Sequence, residues 1–220
     1  MGGFNLMENK DRGYFFIDGS HLMSSINTLW RKKLDFKDKK LSIKLLSNAL
    51  MQEWSYYIGS TVRITYYFKK DEKRIKTMLT IPDICKPGEK DHWQIKECGQ
   101  NIRGTIPDDA LQKLPPKYRD YFPRAEKGLD IQLACDALSL VATGKTSNIV
   151  FLVNDGDYIP LFETVQQLGG NVYLTALDSS QNIHKNLVNL ADKYLTLDRR
   201  LKNIFNISKT NETKGQQVIE

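Results

Sequence analysis

Cysteine is scarce: Cys85, Cys98 and Cys135 show no metal-ligand spacing, and an odd number argues against a closed disulfide framework. Structural thiols in a reducing compartment fit better, with the cytoplasm as the default location. Long apolar runs are missing too, since none approaches the roughly 20 residues a membrane-spanning helix needs. The opening MGGFNLMENKDRGYFFIDGS has its charges in the wrong order and too short an apolar run for a signal peptide. No G-x-G-x-x-G follows the first apolar segment, which weakens a Rossmann nucleotide-binding reading. Acidic excess is absent as well. Lys and Arg number 32 against 26 Asp and Glu, and the net charge of +6 is compatible with a polyanionic partner such as nucleic acid. Hydrophobic residues at 40% and charged residues at 26% sit close to soluble globular averages and suggest neither disorder nor a membrane protein, and 220 residues suffice for one well-buried domain.

Periodicity organises most of the chain. YFFID at 14–18 reads as a buried strand with an acidic end, and the GSHL after it as a turn. Residues 41–57 place apolar side chains mostly at helical spacing, with Ser42 or Asp38 as the cap, and TVRITYYF at 61–68 is a second strand. KGLDIQLACDALSLVAT at 127–143 is a helix stopped by Gly144. NIVFLVND, YIPLFETVQQLGG, NVYLTAL and NIHKNLVNLADKYLTL continue as strand, helix, strand, then helix and a short extended piece. Such alternation predicts right-handed βαβ units around a mostly parallel sheet. The domain is expected over 12–200, with a polar tail at 201–220.

Between 69 and 126 the periodic signal weakens, and most of the prolines fall there. The segment reads as a long loop region or a small insertion with short helices. In it Trp93, Tyr118, Tyr121 and Phe122 are interleaved with Lys90, Lys96, Arg103, Lys117, Arg119 and Arg124. That mixture suits single-stranded nucleic acid, and equally an irregular lobe pinned to the core by its aromatics.

The acidic residues carry the chemistry. In open parallel sheets the functional crevice lies beyond the carboxyl ends of the strands. Asp18 closes the first strand, and Asp155 and Asp157 close the strand at 148–155. Asp130 opens the helix leading into that strand, so its helix N-terminus belongs at the same edge. Unit charges 4 Å apart repel by ~4 kcal/mol at intermediate dielectric, and a divalent cation relieves the conflict. Hard Mg²⁺ or Mn²⁺ takes carboxylate and water oxygens, and its characteristic chemistry is hydrolysis of a phosphodiester. One metal or two stays open. Asp136 lies roughly 240° around the helix from Asp130, which suits solvent exposure or a supporting contact. Asp178, Asp192 and Asp198 read as surface or capping groups.

IDGSHL at 17–22, KGLDIQLACDAL at 127–138, NDGDYIPLFETVQQLGGNVYL at 154–174 and NLADKYLTL at 189–197 resemble the NYN domain, a branch of the PIN-like nuclease superfamily. The resemblance implies a Rossmann-like three-layer α/β/α sandwich and Mg²⁺- or Mn²⁺-dependent cleavage of RNA. It also implies that Asp18, Asp130, Asp155 and Asp157 are catalytic and hold the metal. Two positions depart from the pattern: His21 stands where asparagine is common, and Val153 where a small polar residue often precedes the acidic unit. Ser20, His21, Lys127 and Asn154 are candidates to meet phosphate or water, each with a plain turn, loop or solvated role as the alternative. Gly156 lets the backbone approach the metal, while Tyr158 and Pro160 read as structural, starting the next helix.

The expected activity is a metal-dependent endoribonuclease acting on single-stranded or structured RNA. A non-catalytic RNA-binding or scaffold module on the same fold, or a homo-oligomer, stays open. A haloacid-dehalogenase-type phosphohydrolase needs a second aspartate two positions after the first, where this chain has Ser20.

Overall fold

A computed structural model describes residues 12–70, 74–82, 92–98, 100–101, 112–113 and 126–207. Strand β1 (Arg12–Asp18) lies inside a six-stranded sheet. Its partners are β3 (Ser60–Lys69) on one side and β8 (Asn148–Leu152) on the other. The sheet runs on through β9 (Asn171–Ala176) to β10 (Lys193–Thr196), and beyond β3 to β5 (Trp93–Cys98). Every pairing in it is parallel. The short strands β2 (Leu41–Ser42) and β4 (Leu79–Thr80) pair with each other, as do β6 (Gln100–Asn101) and β7 (Glu126–Lys127).

Successive strand residues point to opposite faces, so a sheet buried on both sides needs two cores. Phe15 and Ile17 pack with Leu22 and Leu29 of α1 (Gly19–Lys32) and with Leu46 and Trp54 of α2 (Ile43–Ile58). On the opposite face Phe16 and Phe151 pack with Leu133 of α4 (Leu129–Ala142) and Phe162 of α5 (Ile159–Gln167). The result is a three-layer α/β/α arrangement. Each fully buried Leu or Phe contributes about 2 kcal/mol by removal from water. The smaller helices α3 (Ile75–Met78), α6 (Lys185–Leu190) and α7 (Leu201–Ile204) complete the described chain.

Three segments differ from the sequence reading. Residues 19–22 are the first turn of α1 rather than a loop turn, because the Asp18 side chain accepts the backbone N–H groups of Ser20 and His21 and starts the helix. Residues 93–98, inside the weakly periodic region, form edge strand β5 parallel to β3. Its signal is faint because an edge strand here is only partly buried: Trp93 and Ile95 pack on the core while Gln94 and Glu97 are exposed. The packed chain also continues past 200, since Leu201, Ile204 and Phe205 are buried and Phe205 meets Phe36 edge to face at 5.0 Å. Of the two caps considered for α2, Ser42 serves, its hydroxyl accepting from Leu45 N–H at 3.3 Å.

Candidate active site

The register sets the level of the first carboxylate. Ile17 stands opposite both Leu152 and Tyr66, so Asp18 emerges where β8 ends, level with Tyr67 of β3. Its Oδ1 accepts the Ser20 N–H at 2.8 Å and the His21 N–H at 3.1 Å. Its Oδ2 lies 3.1 Å from the Tyr158 hydroxyl, and that hydroxyl is 2.7 Å from Asp130 Oδ1. The single phenolic hydrogen is divided between the two acceptors. The shorter contact favours Asp130, the carboxylate that is exposed to solvent.

Burial is the main reason the Asp18 carboxyl is pushed up to about 6. The His21 N–H opposes this, the Asp130 charge adds to it, and the Tyr158 and Ser20 hydrogen bonds pull it back. Burial and the two carboxylates likewise drive the Tyr158 hydroxyl far above its usual range, so it stays protonated. The arrangement is therefore a protonated phenol held between two acids.

Gly128 aims the second acid. Its φ of 102° lies in the left-handed region, which turns the chain out of β7 and into α4 two residues before Asp130. A second network ties the same helix to the sheet. Asp136 accepts from Lys96 Nζ at 2.6 Å, from the Tyr67 hydroxyl at 2.7 Å and from Gln132 Nε2 at 3.0 Å. Burial alone would raise the Asp136 carboxyl, but these bonds and the lysine charge outweigh it and hold it below the ordinary carboxylate range. Of the two readings left open for Asp136, the structure favours the supporting contact.

Asp155 and Asp157 occupy the turn beyond β8. Asp155 caps the 3-10 turn Gly156–Tyr158, its Oδ1 accepting the Asp157 N–H at 3.2 Å, and both side chains are exposed. That turn delivers Tyr158 to Asp18 and Asp130, so all four acids share one sheet edge. Among the described residues, only Asp18 and Asp130 of the four are joined through a common side-chain partner, the Tyr158 hydroxyl. Among the described residues no group of three or more His, Cys, Asp or Glu could hold a metal ion.

The NYN domain family model matches residues 14–198, a span that contains every candidate residue. The chain belongs to the NYN domain family. An NYN domain has a PIN-like, nuclease-type ribonuclease fold. Neither the curated proteins nor the solved structures yield a match to this chain.

In this NYN domain Ser20 is exposed at the start of α1, whereas the His21 ring is 6% exposed and neither of its nitrogens has a partner among the described residues. Burial lowers His21 to about 4, so the ring is neutral at physiological pH. The Asn154 carbonyl accepts the His184 N–H at 3.0 Å. The Lys127 backbone pairs with Gln100, but its side chain lies outside the described residues. So do Lys90, Arg103, Lys117, Tyr118, Arg119, Tyr121, Phe122 and Arg124. Of that basic and aromatic set Trp93 packs on the core and Lys96 is paired with Asp136, both structural tasks.

Tyr158 is a residue whose importance the sequence reading missed. The signal was available: a tyrosine starting a buried helix directly after the acidic turn must find a partner for its hydroxyl. Of the surface and capping readings of Asp178, only the surface one fails. It is buried, 2.8 Å from Lys33 Nζ, and it accepts from Ser180. Asp192 and Asp198 reach across the fold, accepting the N–H groups of Val172 and Ser179, 20 and 19 residues away in sequence. No helix among the described residues is long and apolar enough to cross a membrane.

Proposed function

We propose that this protein is a metal-dependent endoribonuclease whose acid set is Asp18, Asp130, Asp155 and Asp157. One observation carries the reading: an NYN domain that buries Asp18 at the carboxyl edge of its sheet and makes it share one hydroxyl with Asp130. Burying a carboxylate near a like charge is costly. A fold that keeps such a pair at its functional edge has a use for a cation.

The donor set supports the same view. All four groups supply hard carboxylate oxygen, and a Mg²⁺ or Mn²⁺ ion held directly by one or two carboxylates keeps several waters. Asp18 and Asp130 would hold it, with Asp155 and Asp157 on the solvent side. When bound, such an ion activates water and stabilises the leaving oxygen of a phosphodiester. Tyr158 orients the Asp18 and Asp130 carboxylates toward each other. Ser20, Lys127 and Asn154 are the groups assigned to phosphate and water. His21, its ring buried, contributes its backbone N–H to Asp18.

The test is incubation of the purified protein with single-stranded and structured RNAs and DNAs under Mg²⁺, Mn²⁺ or EDTA, beside Asp155→Asn. Internal cleavage of RNA that needs the ion and the carboxylate is expected. Cleavage surviving both EDTA and the substitution would end the metal-carboxylate reading, and salt-sensitive binding without cleavage would point to an RNA-binding module.

A further inference from the structure

Beside Asp155 lies an open cleft of about 430 Å³, within the range of small-ligand sites. One wall is the turn after β8, with Asn154, Asp155 and Gly156, and the other is the entry to α6, with Asn182, His184 and Lys185. The walls are fastened together by the His184 N–H donating to the Asn154 carbonyl at 3.0 Å. His184 Nδ1 accepts the Asn186 N–H at 3.3 Å, which in the neutral ring puts the proton on Nε2. The ring lies against Gly156: a Cβ there would stand 3.1 Å from Cδ2 and 3.2 Å from Nε2. The missing side chain therefore leaves room for the imidazole beside the acidic turn. Asn182, His184 and Lys185 are all exposed, and Lys185 forms no ion pair among the described residues.

The chemistry of this wall is that of a nucleotide site. A free ammonium meets a phosphate, side-chain amides both donate and accept toward ribose and base edges, and an imidazole offers a flat face to an unstacked base. We propose that the cleft seats the RNA nucleotide next to the scissile phosphate, with Lys185 and Asn182 on its phosphate and ribose and His184 on its base. This rests on the ribonuclease reading and adds a strand direction to it: the chain of the substrate leaves the acidic edge past Asp155 toward α6.

The experiment measures binding of a fluorescent single-stranded RNA to the full chain in EDTA, across a salt series. His184→Asn keeps a capping acceptor for Asn186 but removes the ring, and it should weaken binding about tenfold with an unchanged melting temperature. Lys185→Ala should lower the slope of log affinity against log salt by about 0.7, whereas Lys145→Ala, before β8 at the opposite sheet edge, should leave binding unchanged. If RNA is bound and, with Mg²⁺, cut normally by the parent and by both cleft variants, the cleft proposal falls and the ribonuclease reading stands. If the parent neither binds nor cuts RNA, both fall. A loss in His184→Asn that tracks a lowered melting temperature and is reversed by His184→Ser would make the residue a cap alone, and would also overturn the proposal.

Discussion

Asp18 and Asp155 are the same device built twice. Each lies at or beyond the carboxyl end of a parallel strand, each caps the helical turn after it, and each accepts the N–H two residues on. Asp18 is 6% exposed and its carboxyl is pushed up to about 6, whereas Asp155 faces an open cleft. Both strands are flanked on two sides, but Asp18 is still inside the ladder, paired with Tyr67 of β3, while Asp155 stands three residues beyond Leu152, the last residue of β8. Burial, set by neighbours distant in sequence, thus turns one cap into a desolvated inner carboxylate and leaves the other facing solvent.

The comparison can be broken by neutralising each acid. Asp18→Asn and Asp155→Asn should both reduce RNA cleavage by at least about 100-fold in a gel assay with Mg²⁺. Only Asp18→Asn should also raise stability to urea in EDTA at pH 7, by up to about 3 kcal/mol, because it removes a buried charge. Equal effects on stability from both would mean the burial difference has no energetic consequence.

Acidity sharpens the contrast further. Asp18, raised from 3.8 to about 6, favours the folded state fully below 3.8 and loses that contribution as pH rises through about 6. His21, lowered from 6.5 to about 4, contributes fully above 6.5 and loses it as pH falls through about 4. The slopes oppose each other in the metal-free parent. Asp18→Asn should uncover the His21 slope, a fall of about 3 kcal/mol between pH 6.5 and 4 in urea titrations. A flat profile in that variant would refute the assignment of His21.

Two smaller effects concern the supports. Tyr158→Phe should cost about 2 kcal/mol in EDTA, since two acids lose their shared donor, and Mg²⁺ should shrink the deficit. An equal deficit with and without Mg²⁺ would make the hydroxyl purely structural. Asp136→Asn should lower cleavage about tenfold by loosening α4 while leaving the dependence on Mg²⁺ concentration nearly unchanged. A large shift in that dependence would place Asp136 at the ion instead.

Much of this was legible beforehand. The apolar runs ending in Asp18 and Asp155 revealed buried parallel strands, and the K-G-x-D and N-D-x-D blocks revealed the family. Helix α1 was hidden because Gly-Ser after an aspartate reads as a turn, whereas the aspartate is its cap. Strand β5 was hidden because its residues are exposed or only half-buried, so no buried run marks it.

The order of strands and helices, the acidic residue types and the family are properties of the sequence, because periodicity and local capping act between residues close in the chain. Which acid is buried, which phenol joins Asp18 to Asp130 across more than a hundred residues, and which loop faces Asp155 were decided by tertiary structure. Those outcomes depend on sheet register and on desolvation, and both arise only when distant segments pack together.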